Sequence, residues 1–133
     1  MTQTQTTALC IYTLHENGIH EYSLVTPTRE GYDELLTHLD RVFRDSPADE
    51  HLRSLIDFSS GFPPLQYAFQ RTQVLLKKYP NRTKGSKVAY LYTSSTLISM
   101  VRSFISLFRL NNSDNRFFNV AERDKAVAWL AEG

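Results

Sequence analysis

Apolar and polar residues alternate along ALCIYTLHENGIHEYSLVT (8–26), and from Tyr32 onward the apolar positions recur at spacings of three and four. Alternation is the mark of half-buried strands, and Asn17-Gly18 at its centre is the preferred pair for a two-residue type I′ turn, so the segment predicts a hairpin. Thr26 and Pro27, or Thr28, offer cap and first-turn chemistry for a helix that carries Tyr32, Leu35, Leu36, Leu39, Val42 and Phe43 and ends near Asp45-Ser46-Pro47. LRSLIDF (52–58) predicts a strand, and Leu65, Ala68, Phe69, Thr72, Leu75, Leu76 and Tyr79 a second helix that stops before Pro80. KVAYLY (87–92) predicts a core strand, Thr93 to Arg109 a third helix, RFFNV (116–120) the last strand, and ERDKAVAWLAE a closing helix.

The order ββαβαβαβα implies a single α/β domain over 1–133. Its mixed, mostly parallel five-stranded sheet carries helices on both faces, because each late strand is followed by a crossover helix. The first strand is expected antiparallel to the second, and residues 1–7 are expected to be disordered.

Composition narrows the class of role. Apolar residues at 41% and charged residues at 22% are the proportions of an ordinary folded domain. A net charge of +1 gives no global attraction to nucleic acid or acidic membrane. The basic run Lys77, Lys78, Arg82, Lys84 and Lys87 is short and loop-bound, with only Tyr79 able to stack, so a nucleic-acid partner is not expected. A lone Cys10 and a polar start without signal-peptide character fit a cytoplasmic protein. The stretch LISMVRSFISLF (97–108) is too short to span a bilayer and carries Arg102.

Candidate chemistry is sparse. No metal-ligand spacing, phosphate-binding glycine loop or nucleophile elbow is present, so neither a catalytic residue nor a cofactor is expected. A type I′ turn at Asn17-Gly18 would set His15 and His20 directly across the hairpin, near enough to share a metal, but no third ligand accompanies them. Thr93, Ser94, Ser95 and Thr96 open a helix with free amides after a core strand. They would cap that helix or meet an anion beside the 57–62 loop and Asn119 to Glu122. In the helix that follows, the apolar arc from Leu97 to Phe108 covers roughly 180°, more than the ~100° a surface helix needs. Met100, Phe104, Leu107 and Phe108 are therefore candidates for a homodimer interface or the wall of an apolar pocket, against the plainer reading of a deeply nested helix.

The ending FFNVAERDKAVAWL, an aromatic strand, an acidic turn and Ala-x-Ala-Trp-Leu, together with the element order, resembles the STAS/SEC14-like group of the sporulation anti-sigma-factor-antagonist fold. The resemblance implies a small domain that works without catalysis, as a regulatory or protein-interaction module, or as a binder of a small apolar ligand or lipid. In that group a serine at the start of the helix after this strand is phosphorylated, within an Asp-Ser-Ser/Thr-Gly-Leu type motif. Here Asp57, Phe58, Ser59, Ser60, Gly61 and Phe62 match it with one extra residue. The favoured alignment instead puts Asp57 to Ser60 on the segment that ends the strand. Phe62 and Pro63 each precede a proline, which holds Ser60 outside the helix, so Ser59 and Ser60 are expected to form a bend. A hydrolase or transferase using Ser59, Ser60 or Asp57 is the weakest reading, because no histidine is expected beside them.

Overall fold

A computed structural model describes residues 3–6, 9–82, 85–93 and 114–132. Six strands form one sheet in sequence order: β1 (Gln3–Thr6), β2 (Cys10–Leu14), β3 (Ile19–Leu24), β4 (Arg53–Asp57), β5 (Lys87–Tyr92) and β6 (Asp114–Asn119). β1–β2–β3 is an antiparallel meander, and β3 through β6 run parallel. Three described helices accompany them: α1 (Arg29–Asp45), α2 (Leu65–Lys78) and α3 (Arg123–Ala131), the last entered through a 3₁₀ turn at Val120–Glu122. The expected five strands are all present. β1 is the sixth, drawn from a terminus expected to be disordered and held by ladder pairing of Gln3–Thr6 with Ile11–Leu14. The expected helix from Thr93 to Arg109 lies outside the described residues.

The central strands are buried on both faces, and their side chains alternate between two cores. Tyr22, Leu24, Ile56, Phe58 and Tyr90 pack with α1 and α2 on one face. Ile19, Leu55, Ala89 and Leu91 pack with Ala126, Trp129 and Leu130 of α3 on the other. Helices thus cover both faces, as parallel strands require.

Local sequence explains where the helices begin and end. Thr28 Oγ1 accepts the N–H of Gly31 at 3.1 Å, capping α1, and the Ser46 N–H closes its C-terminus on Val42 O at 3.0 Å. α2 starts behind Pro64 with no side-chain cap. It runs parallel to α1 and is tied to it by Tyr67 Oη to Asp33, Tyr32 Oη to Thr72 Oγ1 at 2.6 Å, and Lys78 Nζ to Asp40 at 2.9 Å. At the end of α3, Lys87 Nζ of β5 donates to the carbonyls of Trp129 and Glu132, placing a cation on the negative end of the helix dipole. Lys87 Nζ and the Arg116 guanidinium also stand 5.1 and 4.9 Å from the Trp129 ring centroid.

The hairpin departs from the expected register by one residue. His15 N–H donates to Ile19 O and Gly18 N–H to His15 O, both at 3.0 Å, so the loop is the three residues 16–18 with Gly18 at φ 85°. A three-residue loop that ends on a left-handed glycine is a common hairpin connection, and it uses the same Asn-Gly pair as the two-residue turn. The slip sends His15 and His20 to opposite faces, where His15 meets Glu21 and His20 meets Tyr12. The pair cannot share a metal.

Beneath α1 lies a polar seam. Arg41 Nη2 donates to His38 Nδ1 at 3.0 Å, which fixes the His38 proton on Nε2, and that atom is buried with no hydrogen-bond partner among the described residues. The His38 ring stacks on Tyr12 at 5.7 Å, and Tyr12 Oη lies 2.7 Å from His20 Nδ1. Burial holds both histidines below the ordinary imidazole value, with Arg41 reinforcing it at His38; Glu34, and at His20 Glu50, pull the other way.

Replacing Trp129 with Ala should cost about 3–5 kcal/mol in chemical denaturation, since the ring is buried between α3 and the sheet; a loss under ~1 kcal/mol would remove it from the core. The seam predicts pH dependence of a definite sign. The unfolded chain takes up protons on His20 and His38 near 6.5 while the folded chain resists them, so their contribution is complete above that value. It is lost as pH falls toward the depressed native values, by at most about 1.4 kcal/mol per pH unit for each histidine. Urea midpoints measured through this window should fall on acidification, and His38→Gln should flatten the slope.

Candidate functional site

The carboxyl ends of β4, β5 and β6 bring together much of what the sequence singled out. Asp57 closes β4, and its Oδ1 accepts the Ser59 N–H at 2.8 Å. Phe58 N–H donates to Leu91 O at 3.0 Å, and Gly61 N–H turns back to Phe58 O at 2.9 Å, so 58–61 is a hydrogen-bonded bend laid against β5. Thr93 Oγ1 reaches Ser59 O at 3.4 Å. Tyr92 pairs with Asn119, whose side chain caps the following turn by accepting the Ala121 N–H at 2.9 Å. Thr93 and the 57–62 loop are thus neighbours, with the 119–122 turn one strand away. Ser94, Ser95 and Thr96 lie outside the described residues, as do Met100, Phe104, Leu107 and Phe108.

The serines occupy the bend, five and six positions before α2 opens at Leu65. Ser59 is half-buried and Ser60 exposed. The Asp57 carboxylate that would serve a serine nucleophile is engaged by a backbone amide, an Asx turn of the kind this residue favours after a strand. The histidines are placed elsewhere: His15 on Glu21, His20 on Tyr12, His38 on Arg41 and His51 against Gly85. Burial pushes the Cys10 thiol up to about 12, with Glu34 adding to the effect, so it stays protonated at neutral pH and is no nucleophile.

A polar strip on the α3 face of the sheet has no counterpart in the sequence reading. Arg123, the first residue of α3, forks onto Glu21, with Nη1 to Oε2 at 2.8 Å and Nη2 to Oε1, while His15 Nε2 sits 2.7 Å from Oε1. Burial alone would raise the Glu21 carboxyl, but the hydrogen bonds from Arg123 and His15 outweigh it and hold the group below its ordinary value. A carboxylate so held is a brace and not a general base. Asp57 adds its field to Arg123 from the same face. The available signal was periodicity: Glu21 lies between Ile19 and Ser23 on the face that packs α3, and an acid there calls for a cation.

On the opposite face the rings of Phe62, Phe58, Tyr90 and Phe117 follow one another at centroid separations of 5.4, 6.2 and 5.1 Å. This aromatic run crosses β4, β5 and β6 just below the loops. Among the described residues no group of three or more His, Cys, Asp or Glu is placed to hold a metal ion, and no helix is long and apolar enough to cross a membrane. No family model, curated protein or solved structure matches the chain.

Ser59→Ala and Ser60→Ala should each change stability by less than about 1 kcal/mol, because the bend is held by backbone bonds that alanine retains. Asp57→Ala, which strips the Ser59 amide of its acceptor, should cost about 1–2 kcal/mol. Equal losses for all three in urea denaturation would contradict this division of roles.

Proposed function

We propose that the chain is a non-enzymatic regulatory or protein-interaction module of the STAS-like type. The observation that carries this reading is the strand order. In open α/β sheets a ligand crevice forms at the carboxyl edge where the strand order reverses, and here β3 to β6 follow one another without reversal. Among the described residues that edge carries the hydrogen-bonded bend at 58–61 and Thr93 against Ser59 O. Such an edge offers shape and hydroxyls to a protein surface. The hairpin followed by repeated βα units, and the ending from Phe117 to Leu130, support the STAS-like assignment by the resemblance already drawn. The partner class includes a second copy of the chain, and the cytoplasm is the compartment this role suits.

A second reading, a binder of a small apolar ligand or lipid, is favoured by the aromatic run from Phe62 to Phe117, whose half-buried end rings Phe62 and Phe117 flank the buried Phe58 and Tyr90.

Native mass spectrometry of the purified protein separates these readings. Self-association gives a species at twice 15.3 kDa, and a bound apolar ligand gives a monomer with a discrete added mass that organic solvent removes. A bare 15.3 kDa monomer sinks self-association and the apolar ligand, and confines the first reading to a protein partner other than the chain itself. Intact mass of protein isolated from its native cell tests the switch form of the proposal, which requires stoichiometric phosphate on Ser59 or Ser60.

A further inference from the structure

The opposite end of the sheet carries a cleft of about 230 Å³ between the hairpin turn and the segment entering β4, lined by Asn17, Gly18, His20, Glu50, His51, Leu52 and Arg53. Its polar groups are mostly donors. His20 is buried, and its Nδ1 faces the Tyr12 hydroxyl at 2.7 Å. Burial raises the Tyr12 phenol, so that hydroxyl keeps its proton and can give it to Nδ1, leaving the ring proton on Nε2. His51 is set by Gly85: at φ 77°, this residue presents no side chain, and a Cβ there would fall 2.8 Å from His51 Nε2. Arg53 adds a fixed cation.

A second cation lies behind this wall. Arg82 is buried at 7% exposure, and its Nη1 donates to Pro47 O, the same carbonyl that receives the Glu50 N–H. Its Nε and Nη2 have no hydrogen-bond partner among the described residues. Both Arg82 and Glu50 act on the charge state of His20, so the guanidinium is close to the cleft. A buried guanidinium with two unused donors is costly unless negative charge approaches it. Glu50, exposed on the rim, is the one acid lining the cleft.

We propose that this cleft binds the oxyanion group of a small molecule, phosphate or carboxylate, held directly by His20, His51 and Arg53, with the Arg82 cation behind the wall as a positioning charge. The volume of about 230 Å³ is enough for the oxyanion group of a small metabolite. The site lies at the amino ends of β3 and β4, remote from the edge proposed to meet a protein partner, so either proposal can fail alone.

The test is NMR of the histidine Cε1–H signals while inorganic phosphate, or separately sodium acetate, is added at constant ionic strength set with chloride. Saturable shifts at His20 and His51, with His15 unmoved, and a thermal midpoint that rises with ligand are expected. Saturation by phosphate alone identifies a phosphate group, and saturation by acetate as well admits carboxylates. Arg53→Gln should keep the fold and weaken binding about tenfold, the loss of one charge-assisted contact. Arg82→Lys, which retains the charge, should bind within about threefold of the parent if the role is its field, and it guards against an unfolded Arg82→Met. Shifts that fail to saturate, that appear equally at His15, or that persist unchanged in Arg53→Gln overturn the proposal.

Discussion

Everything in this molecule depends on β4 being covered on both faces. Leu55 points to α3 while Ile56 and the following Phe58 point to α1 and α2, so a single five-residue strand feeds two cores. A strand in that position cannot stay at an edge. It must have parallel neighbours reached by crossovers, and those crossovers supply the helices that bury it. The registers of β3 on β4 and of β4 on β5 then place Glu21 beside Leu55 and Leu55 beside Ala89, which sets the plane on which α3 lies. Ala89 is small there, and the adjacent space is taken by Trp129 and Leu130.

Sequential strand order has a consequence for chemistry. With no reversal, successive loops at the carboxyl edge lie side by side and bond to one another, as Thr93 does to Ser59 O. Polar residues that would be spare in a crevice become structural: Asp57 braces a bend, Asn119 caps a turn, and Glu21 holds Arg123. The amino edge is different, because the hairpin turn and the 47–53 segment approach it from two sides and leave a gap between them.

The elements with strong periodicity were legible from the residues. α1 and α2 fall within a residue or two of where apolar spacing and the Thr28 and Pro80 signals put them, and β5 spans 87–92 as read. The bend at Ser59 and Ser60 was legible too, since proline geometry alone keeps them out of α2. Hairpin register was not, because Asn17-Gly18 satisfies both a two-residue and a three-residue loop and the difference lies in pairing energy between strands. QTQT in β1 has no apolar alternation to read, and its strand state comes from the edge that β2 offers. The Glu21–Arg123 brace joins residues 102 positions apart, and no local pattern links them.

The polar seam beneath α1 shows why buried side-chain chemistry was the hardest part to read. His38 sits one position before Leu39 on α1, yet it is buried with its Nδ1 committed to Arg41 and its Nε2–H without a hydrogen-bond partner among the described residues. The seam continues through the Tyr12 ring to His20, the one member of it that lines the amino-edge cleft, and so backs that residue with stacked, hydrogen-bonded rings. Rings held in this way cannot swing away when charge approaches, so the energy of an anion's approach is not spent on reorganising them. The carboxyl edge, backed on one face by the aromatic run of Phe58 and Tyr90, presents shape, apolar contact and the hydroxyls of Ser59, Ser60 and Thr93. The two ends of one sheet are therefore suited to different partners because alternate residues of the same strands deliver different chemistry to them.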